Sequence, residues 1–198
     1  MRKKVNMLPI IAAVLFLAGC GSRTKHQDVE AKLPGFATLD EMEAYSSTII
    51  RGTRKEQETP VLTLDHGILV SGYTFSQVEV TEIYKDTAAE LEAGDFITVL
   101  ENEVYDPEAD VRYHIAGYDM MEAGKEYLLF LTRNTQPNGN IYYVAAGVNY
   151  GTVSLEEDSR LARRHSGTDS PPTDVSDYQP VWEAAQEKYF SEKYFSEK

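Results

Sequence analysis

The sequence predicts a mainly β protein, a small antiparallel OB-like β-barrel with short flanking helices. Short runs of β-branched and aromatic residues fill the centre of the 198-residue chain. Glycine, asparagine and charged residues separate these runs, and no long stretch of helical periodicity lies between them. Short strands joined by turns, without intervening helices, favour a closed or half-closed barrel over a parallel sheet.

The first 19 residues have the layout of a secretion signal. Basic residues at 2–4 precede an apolar run from Val5 to Leu17, and small residues follow at 18 and 19. The apolar run is shorter than the ~20 residues that span a bilayer. We therefore expect residues 1–19 to be a signal peptide that is removed after export.

The stretch Leu17-Ala18-Gly19-Cys20 resembles the lipobox of bacterial lipoproteins. The resemblance implies that a signal peptidase cuts before Cys20 and that the Cys20 sulfur carries a diacylglycerol. Two or more acyl chains give stable anchoring, so the lipid would hold the protein at the extracytoplasmic face of the cell membrane. The alternative is an ordinary signal peptide with a chance cysteine, because small residues also suit other cleavage sites.

Composition restricts both the stabilisation and the partners of the exported domain. Cys20 is the only cysteine, so no intrachain disulfide can form and the domain must rely on its core. The chain has a formal net charge of −13, and the signal segment carries basic residues but no acidic ones. The mature surface therefore repels nucleic acid and anionic headgroups, and no nucleic-acid partner is expected.

The segments before the barrel are predicted to be a tether and a helix. Gly21 to about Gly35 is polar and lacks periodicity, which predicts a flexible tether. Residues 20–36 are therefore expected to comprise the lipidated Cys20 and this tether. Residues 37–155 are predicted to form the barrel domain. Within them, Thr38 and Glu41 have the spacing of a capping box, which predicts a helix of about two turns that ends near Ser46.

The next two segments predict the first strands. Ser47 to Arg54 reads as a strand, and the charged residues 55–58 read as a loop. The longest β segment runs from Gly67 to Lys85. Its apolar side chains change from odd to even positions near Ser76 and Gln77, which predicts a β-bulge there.

The remaining strands follow in close succession. Gly94 to Glu101 predicts one strand, and Lys125 to Arg133 predicts another with a nearly continuous apolar centre. Asn138 to Gly147 opens on an Asn-Gly turn, which predicts that its strand forms a hairpin with the one before it. Tyr150 to Leu155 predicts a short last strand.

A family resemblance adds to this interpretation. The segments YTFSQVEVTEIYK, AGDFITVLE, MEAGKEYLLFL and GNIYYVAAG resemble exported lipoproteins of Gram-positive bacteria that have no assigned activity. More distantly, they resemble the netrin-type domain of tissue inhibitors of metalloproteinases. The resemblance spans about Thr48 to Leu155 and implies an OB-fold barrel, although Asp86 follows Lys85 where the pattern usually has glycine.

The inhibitors' activity is not expected here. Those inhibitors chelate metal through a free N-terminal cysteine amine that disulfides hold in place. In this chain Cys20 would instead be acylated and unpaired, and a tether would separate it from the barrel.

The sequence shows no catalytic constellation, so we expect neither enzyme activity nor a cofactor. The four histidines lie in separate segments, and the motifs G-x-S-x-G, H-E-x-x-H and C-x-x-C are absent. His66 could serve as a general base. The stretch Asp65-His66-Gly67 is, however, more typical of a turn before a strand.

The densest acidic stretch contains Asp106, Glu108 and Asp110 at alternate positions. These carboxylates could bind Ca²⁺, but the EF-hand pattern fails because Val111 and Gly117 stand at its sixth and twelfth positions. Hard cations need several converging oxygens. A solvated acidic loop is therefore the favoured interpretation.

The same stretch supplies three candidate partner-binding residues, Tyr105, Tyr113 and Tyr118. Loops at one end of an OB barrel commonly carry ligand contacts, and tyrosine gives a large contact area at low entropic cost. Packing in the core or at strand edges is the alternative. The sequence thus predicts a binding or adaptor module with an envelope protein as candidate partner. A structural or stress-related envelope protein without a dedicated ligand is the second hypothesis.

Residues 156–198 are predicted to be a tail of helices and linkers. Three arginines between 160 and 164 read as a solvated helix face, with contact to an anionic wall polymer as the alternative. A proline- and serine-rich linker precedes a helix that is predicted to begin at Pro180, with Trp182 and Ala185 on one side. The final repeat of KYFSE reads as a chance duplication at a frayed end or as an aromatic tail for a partner.

Overall fold

The computed structural model describes residues 24–155 and 178–190. Cys20, the arginines near 160 and the KYFSE repeat lie outside the described residues. Within these ranges, no helix is long and apolar enough to cross a bilayer. The strands and helices, in chain order, are β1 (Lys25–Val29), α1 (Leu39–Tyr45), β2 (Thr48–Asp65), β3 (Ile68–Asp86), β4 (Phe96–Glu101), β5 (Glu103–Asp106), β6 (Val111–Ile115), β7 (Glu126–Thr135), β8 (Ile141–Ala145), β9 (Thr152–Ser154) and α2 (Gln179–Phe190).

Five strands form the barrel in the order β2-β3-β4-β8-β7, and β7 pairs back onto β2. Neighbouring strands are antiparallel except β4 and β8, which are parallel. Only two residue pairs join β4 to β8, Val99 with Tyr143 and Leu100 with Val144, so the barrel is most weakly closed there. This strand order is that of an OB barrel, and the predicted fold class is confirmed.

β7 is buried on both of its faces. Tyr127, Leu129 and Leu131 belong to the core inside the barrel. Leu128 and Phe130 point the other way and pack in a second core cluster under the two helices. A strand covered on both sides needs a continuous apolar run, which explains why its sequence does not alternate.

The helices α1 and α2 cover the outer side of β7. The Thr38 side chain accepts a hydrogen bond from the Glu41 amide at 3.3 Å, and the Glu41 carboxylate accepts one from the Ala37 amide at 2.9 Å. These bonds satisfy amides that a helix start leaves free, so the predicted helix start is confirmed. Met42 of α1 and Ala185 of α2 are fully buried in the same cluster.

The hairpin of β2 and β3 is longer than predicted. The charged residues 55–58 lie within β2, which continues to Asp65; the predicted loop there was wrong. β7 pairs only with Thr48–Thr53 of β2, so the rest of β2 lies beyond that pairing. Charged residues and a proline such as Pro60 are tolerated at a sheet edge. The polar composition therefore reflects an edge rather than a loop.

The bulge predicted at Ser76 and Gln77 is not in β3. β3 keeps one register against β4 over residues 74–79, and the irregularity lies opposite in β2, between Arg54 and Glu58. The buried side chains of β3 stay on even positions, including Ser76. The apolar pattern changed because the inward positions at this end of the barrel are polar.

The predicted flexible tether is partly a strand. β1 pairs in parallel with β6, and together with β5 they form a second, three-stranded sheet. Phe36, also within the predicted tether, is 8% exposed and packs against the outer core. A polar segment is ordered here because β6 offers an edge for backbone pairing and because His26 has a specific side-chain partner, described below.

Candidate functional site

An open groove of about 790 Å³ lies on the outer face of the barrel. Side chains of β2, β3 and β4 line it, and the connection between β7 and β8 contributes Gln136 and Asn140. β3 and β4 are the second and third strands of the barrel. The face of these two strands, with the adjoining loops, is where OB barrels commonly bind ligands.

Amide and hydroxyl groups make up most of the polar lining. Gln77 of β3 pairs with the hydroxyl-bearing Thr98 of β4. Thr59 of β2, Gln136 and Asn140 also line the groove. The Gln77 amide donates a hydrogen bond to the Thr98 hydroxyl at 3.0 Å. Each amide offers both donors and an acceptor, so the groove can bond a ligand that carries both.

Apolar surface lies beside these polar groups. Phe96 is 61% exposed and Ile141 is 41% exposed, although both lie in strands. Phe75 is half-buried, and its ring meets the Tyr142 ring edge to face with centroids 5.5 Å apart. Exposed apolar side chains next to convergent polar groups are typical of ligand sites.

The charges near the groove are paired. Of the described residues that line the groove, Glu58 is the one acidic residue, and it accepts a hydrogen bond from Arg54. Lys55 lies over the Phe96 ring, 6.0 Å from its centroid, and pairs with Glu79. The groove therefore presents neither a cationic nor an anionic surface.

Arg54 connects the groove to a buried carboxylate. Its Nε lies 3.8 Å from the Oε1 of Glu101, and Glu101 is fully buried inside the barrel. The other Glu101 oxygen accepts hydrogen bonds from the Tyr118 hydroxyl at 2.9 Å and from the Met121 amide at 2.6 Å. Burial outweighs these bonds and raises the pKa of Glu101 to about 7.

A second buried polar cluster joins the three-stranded sheet to the segment after it. The Nδ1 of His114 lies 3.0 Å from Asp119 Oδ1 and 3.3 Å from Glu103 Oε2. Burial lowers the pKa of His114, but the hydrogen bonds to Asp119 and Glu103 outweigh it and raise the pKa to about 10. His114 Nε2 lies 2.8 Å from Nδ1 of His26, so protonated His114 donates to neutral His26.

Glu103, His114 and Asp119 could also hold a metal ion, because one ligand atom of each lies within 4.8 Å of the others. The protein already supplies partners for these atoms. Arg112 donates to one Glu103 oxygen, and the Met120 amide donates to the other at 3.0 Å. The imidazolium of His114 balances the remaining charge, so an internal ion network accounts for the cluster.

The three candidate tyrosines do not form one exposed surface. Tyr113 and Tyr118 are 7% and 2% exposed, and their rings belong to the interior. Tyr105 is 36% exposed; its hydroxyl donates to Asp110 at 3.0 Å, and Arg112 lies 5.5 Å from its ring centroid. Of the three, only Tyr105 offers surface to a partner.

The acidic stretch forms the hairpin of β5 and β6 rather than a solvated loop. Asp106 is 3% exposed, and its Oδ1 accepts hydrogen bonds from the amides of Glu108 at 2.9 Å and Ala109 at 3.3 Å. Asp110 has a φ of 52° and bonds Tyr105. The carboxylates of Asp106 and Asp110 therefore stabilise a tight turn, the role that aspartate often has.

His66 lies in the turn that its sequence context indicated. Its φ is 49° and that of Gly67 is 78°, so both residues are left-handed, as a two-residue hairpin turn requires. The His66 side chain is 93% exposed and lies 3.6 Å from Asp65. This geometry is that of a solvent-exposed turn.

Sequence reasoning missed the groove. The sequence predicts a loop at residues 55–58, which include Gln57 and Glu58, and a bulge at Ser76 and Gln77, which would put Phe75 on the same face as Val78. One signal was available: in β4, Phe96 and Thr98 alternate with the buried Ile97, which places a large aromatic ring on the outer face. Finding the groove also required the neighbours of that ring on other strands.

No protein-family model matches this chain, and no curated protein matches it at a significant level of sequence similarity. The resemblance to lipoproteins and netrin-type domains therefore stays a prediction.

Proposed function

We propose that the protein is a lipid-anchored extracytoplasmic binding module that holds its ligand in the groove on the outer face of β2, β3 and β4. The observation that carries this proposal is the composition of the groove. Exposed Phe96 and Ile141 stand beside amide groups on the face that OB barrels commonly use for ligands. Such a combination is typical of binding sites.

The anchoring part of the proposal rests on the sequence. The apolar run before Cys20 and the small residues next to it support lipidation of that cysteine. The net charge of −13 makes electrostatic attachment to anionic lipids unfavourable, so the proposed attachment depends on the covalent lipid.

Binding fits the groove better than catalysis does. Glu101 and His114, two groups with strongly shifted pKa values, are buried among protein partners rather than in the groove lining. Among residues 24–155 and 178–190, no histidine, cysteine or lysine lines the groove, and a nucleophile needs an adjacent base. The groove thus has groups that orient a ligand and lacks a pair that would react with it.

Site-specific cross-linking in living cells tests the groove. A photoreactive amino acid replaces Ile141 at the rim of the groove in one strain, and Tyr105 on the other sheet in a matched strain. We expect one dominant adduct from position 141 and none from position 105. A diffuse set of neighbours from both positions would contradict the proposal and favour a structural envelope protein.

Cell fractionation tests the anchor. We expect the unaltered protein to sediment with membranes and the Cys20→Ala form to lose membrane attachment, because the thiol is the proposed site of the lipid. The adduct formed from position 141 is then compared between the protein with Cys20 and the Cys20→Ala form. Membrane attachment that survives the substitution would contradict lipidation at Cys20.

A further inference from the structure

We infer that the groove binds a neutral oligosaccharide. The inference rests on the proposed function, because it names the ligand class of the same groove. Three features of the lining carry it: the exposed aromatic ring, the amide and hydroxyl groups, and the paired charges.

The aromatic surface suits the face of a sugar ring. One face of a pyranose presents C–H bonds, and the face of an aromatic ring is electron-rich. Phe96 is 61% exposed. Lys55 lies over one side of its ring, 6.0 Å from the centroid, and the remaining exposed surface is available to a sugar ring. Phe75, held by Tyr142, adds a second aromatic surface in the same groove.

The polar lining matches hydroxyl groups. A sugar hydroxyl both donates and accepts hydrogen bonds, and so do primary amides and threonine hydroxyls. Four amides from three parts of the fold and two threonines converge on the groove. They are Gln57, Gln77, Gln136, Asn140, Thr59 and Thr98.

The charges disfavour ionic ligands. A phosphate-rich polymer needs lysine or arginine in contact with it, and neither lines the groove in the part of the chain that the structure describes. Glu58 is paired with Arg54, and Lys55 with Glu79, so no single charge remains to attract an ion. A charged ligand would have to compete with these ion pairs, whereas a neutral ligand can bind without removing water from them.

The size and shape suit a short chain of sugars. The groove volume of about 790 Å³ lies within the range of about 300–1,000 Å³ that is typical of ligand sites. The groove is open and spans three strands. A linear oligosaccharide could therefore lie across the strands with its ends in solvent.

Calorimetric titration of the full chain in detergent with a neutral tetrasaccharide of N-acetylglucosamine, and with one of glucose, tests the ligand class. We expect saturable binding of at least one. Its affinity should change less than about twofold when salt is raised tenfold, because no charges are paired on binding. Phe96→Ala should weaken the affinity about tenfold or more. Tyr105→Ala is the matched control, an exposed aromatic on the other sheet, and should leave the affinity unchanged.

Other results separate this inference from the proposed function. If neither sugar binds, but an adduct forms at position 141 in cells and is lost with Phe96→Ala, the groove is a binding site and the ligand class is wrong. An adduct that proves to be a peptide would also overturn the sugar class. If no adduct forms and neither sugar binds, both proposals fail. Sugar binding that persists with Phe96→Ala would overturn the assignment to this groove.

Discussion

The carboxylate of Glu101 is the most deeply buried acid inside the barrel, and its nearest cation, Arg54, faces it without a hydrogen bond. Its pKa is raised to about 7, mainly by burial. The folded protein therefore keeps a proton that the unfolded chain releases above pH 4.5. By linkage, this group lowers stability as the pH rises from about 4.5 to about 7.

Glu101→Gln should remove this pH dependence, because an amide does not titrate. The quantity to compare is the free energy of unfolding of the variant minus that of the unaltered protein. We expect this difference to be about 3 kcal/mol more favourable to the variant at about pH 8 than at about pH 5. Urea unfolding of both proteins at the two pH values measures this difference. An equal difference at both values would contradict the raised pKa.

His114 also loses stability as the pH rises, but over a higher pH range than Glu101. Its pKa is raised to about 10 by Asp119 and Glu103 despite its burial, so the stability it adds is complete below its ordinary value of 6.5 and is lost as the pH rises through about 10. His114→Ala leaves two carboxylates without this cation. We expect a loss of about 3 kcal/mol near pH 7, and a smaller loss above about pH 10.

Urea unfolding at the two pH values tests the His114 prediction. The matched control is His66→Ala, since His66 is a histidine with a side chain that is 93% exposed and should change stability by less than about 0.5 kcal/mol. A loss at His114 that is the same at both pH values would show that only packing, and not charge, is involved.

At the scale of the elements, we expect the pairing of β1 with β6 to depend on pH. Burial and the nearby charges of His114 and Arg112 lower the pKa of His26. A base with a lowered pKa adds stability that is present above its ordinary value of 6.5 and is lost as the pH falls. Protonation would also remove the acceptor at Nδ1 that His114 uses.

Hydrogen exchange of the β1 and β6 amides measures this attachment. Near pH 5.5 we expect the β1 amides to lose protection, after correction for the pH dependence of exchange in an unfolded chain. The amides of β7 should stay protected. In His26→Ala we expect fast exchange in β1 at every pH, because the hydrogen bond to His114 is gone. Equal protection of β1 in both proteins would contradict a role for His26.

The elements also show which parts of the fold can be predicted from sequence. The capping box of α1 depends only on residues close in the chain, and the apolar run of β7 is continuous because the strand is buried on both faces. Both elements were predicted, and both predictions are confirmed. β1 and the outer part of β2 were missed, because their strand pairing comes from distant backbone and their side chains are polar. Local periodicity does not contain that information.

At the scale of the whole molecule, the net charge of −13 should affect stability. Like charges repel one another more in the compact state than in the unfolded chain. Raising the salt concentration from about 10 mM to about 150 mM shortens the Debye length from about 30 Å to about 8 Å. We therefore expect the midpoint of thermal unfolding to rise, as calorimetry would show; a fall would mean that attractive surface pairs dominate.

The candidate site was less predictable than the fold, because it depends on contacts between distant parts of the chain. The groove combines side chains from β2, β3, β4 and the β7–β8 connection, and only the closed barrel order places them together. The sequence pattern instead favours tyrosines that lie close to one another in the chain. Two of these, Tyr113 and Tyr118, point inward, because their strand and turn face the interior at those positions.

The pairing of β1 with β6 sets how far the barrel can stand from the bilayer. β1 begins at Lys25, five positions after Cys20, and a chain extends at most ~3.6 Å per residue. With lipid on Cys20, the Cα of Lys25 would lie within roughly 18 Å of the Cα of the lipidated cysteine. The proposed module would then work at the membrane surface, and the ligands it meets would be those that reach within a few nanometres of the lipid headgroups.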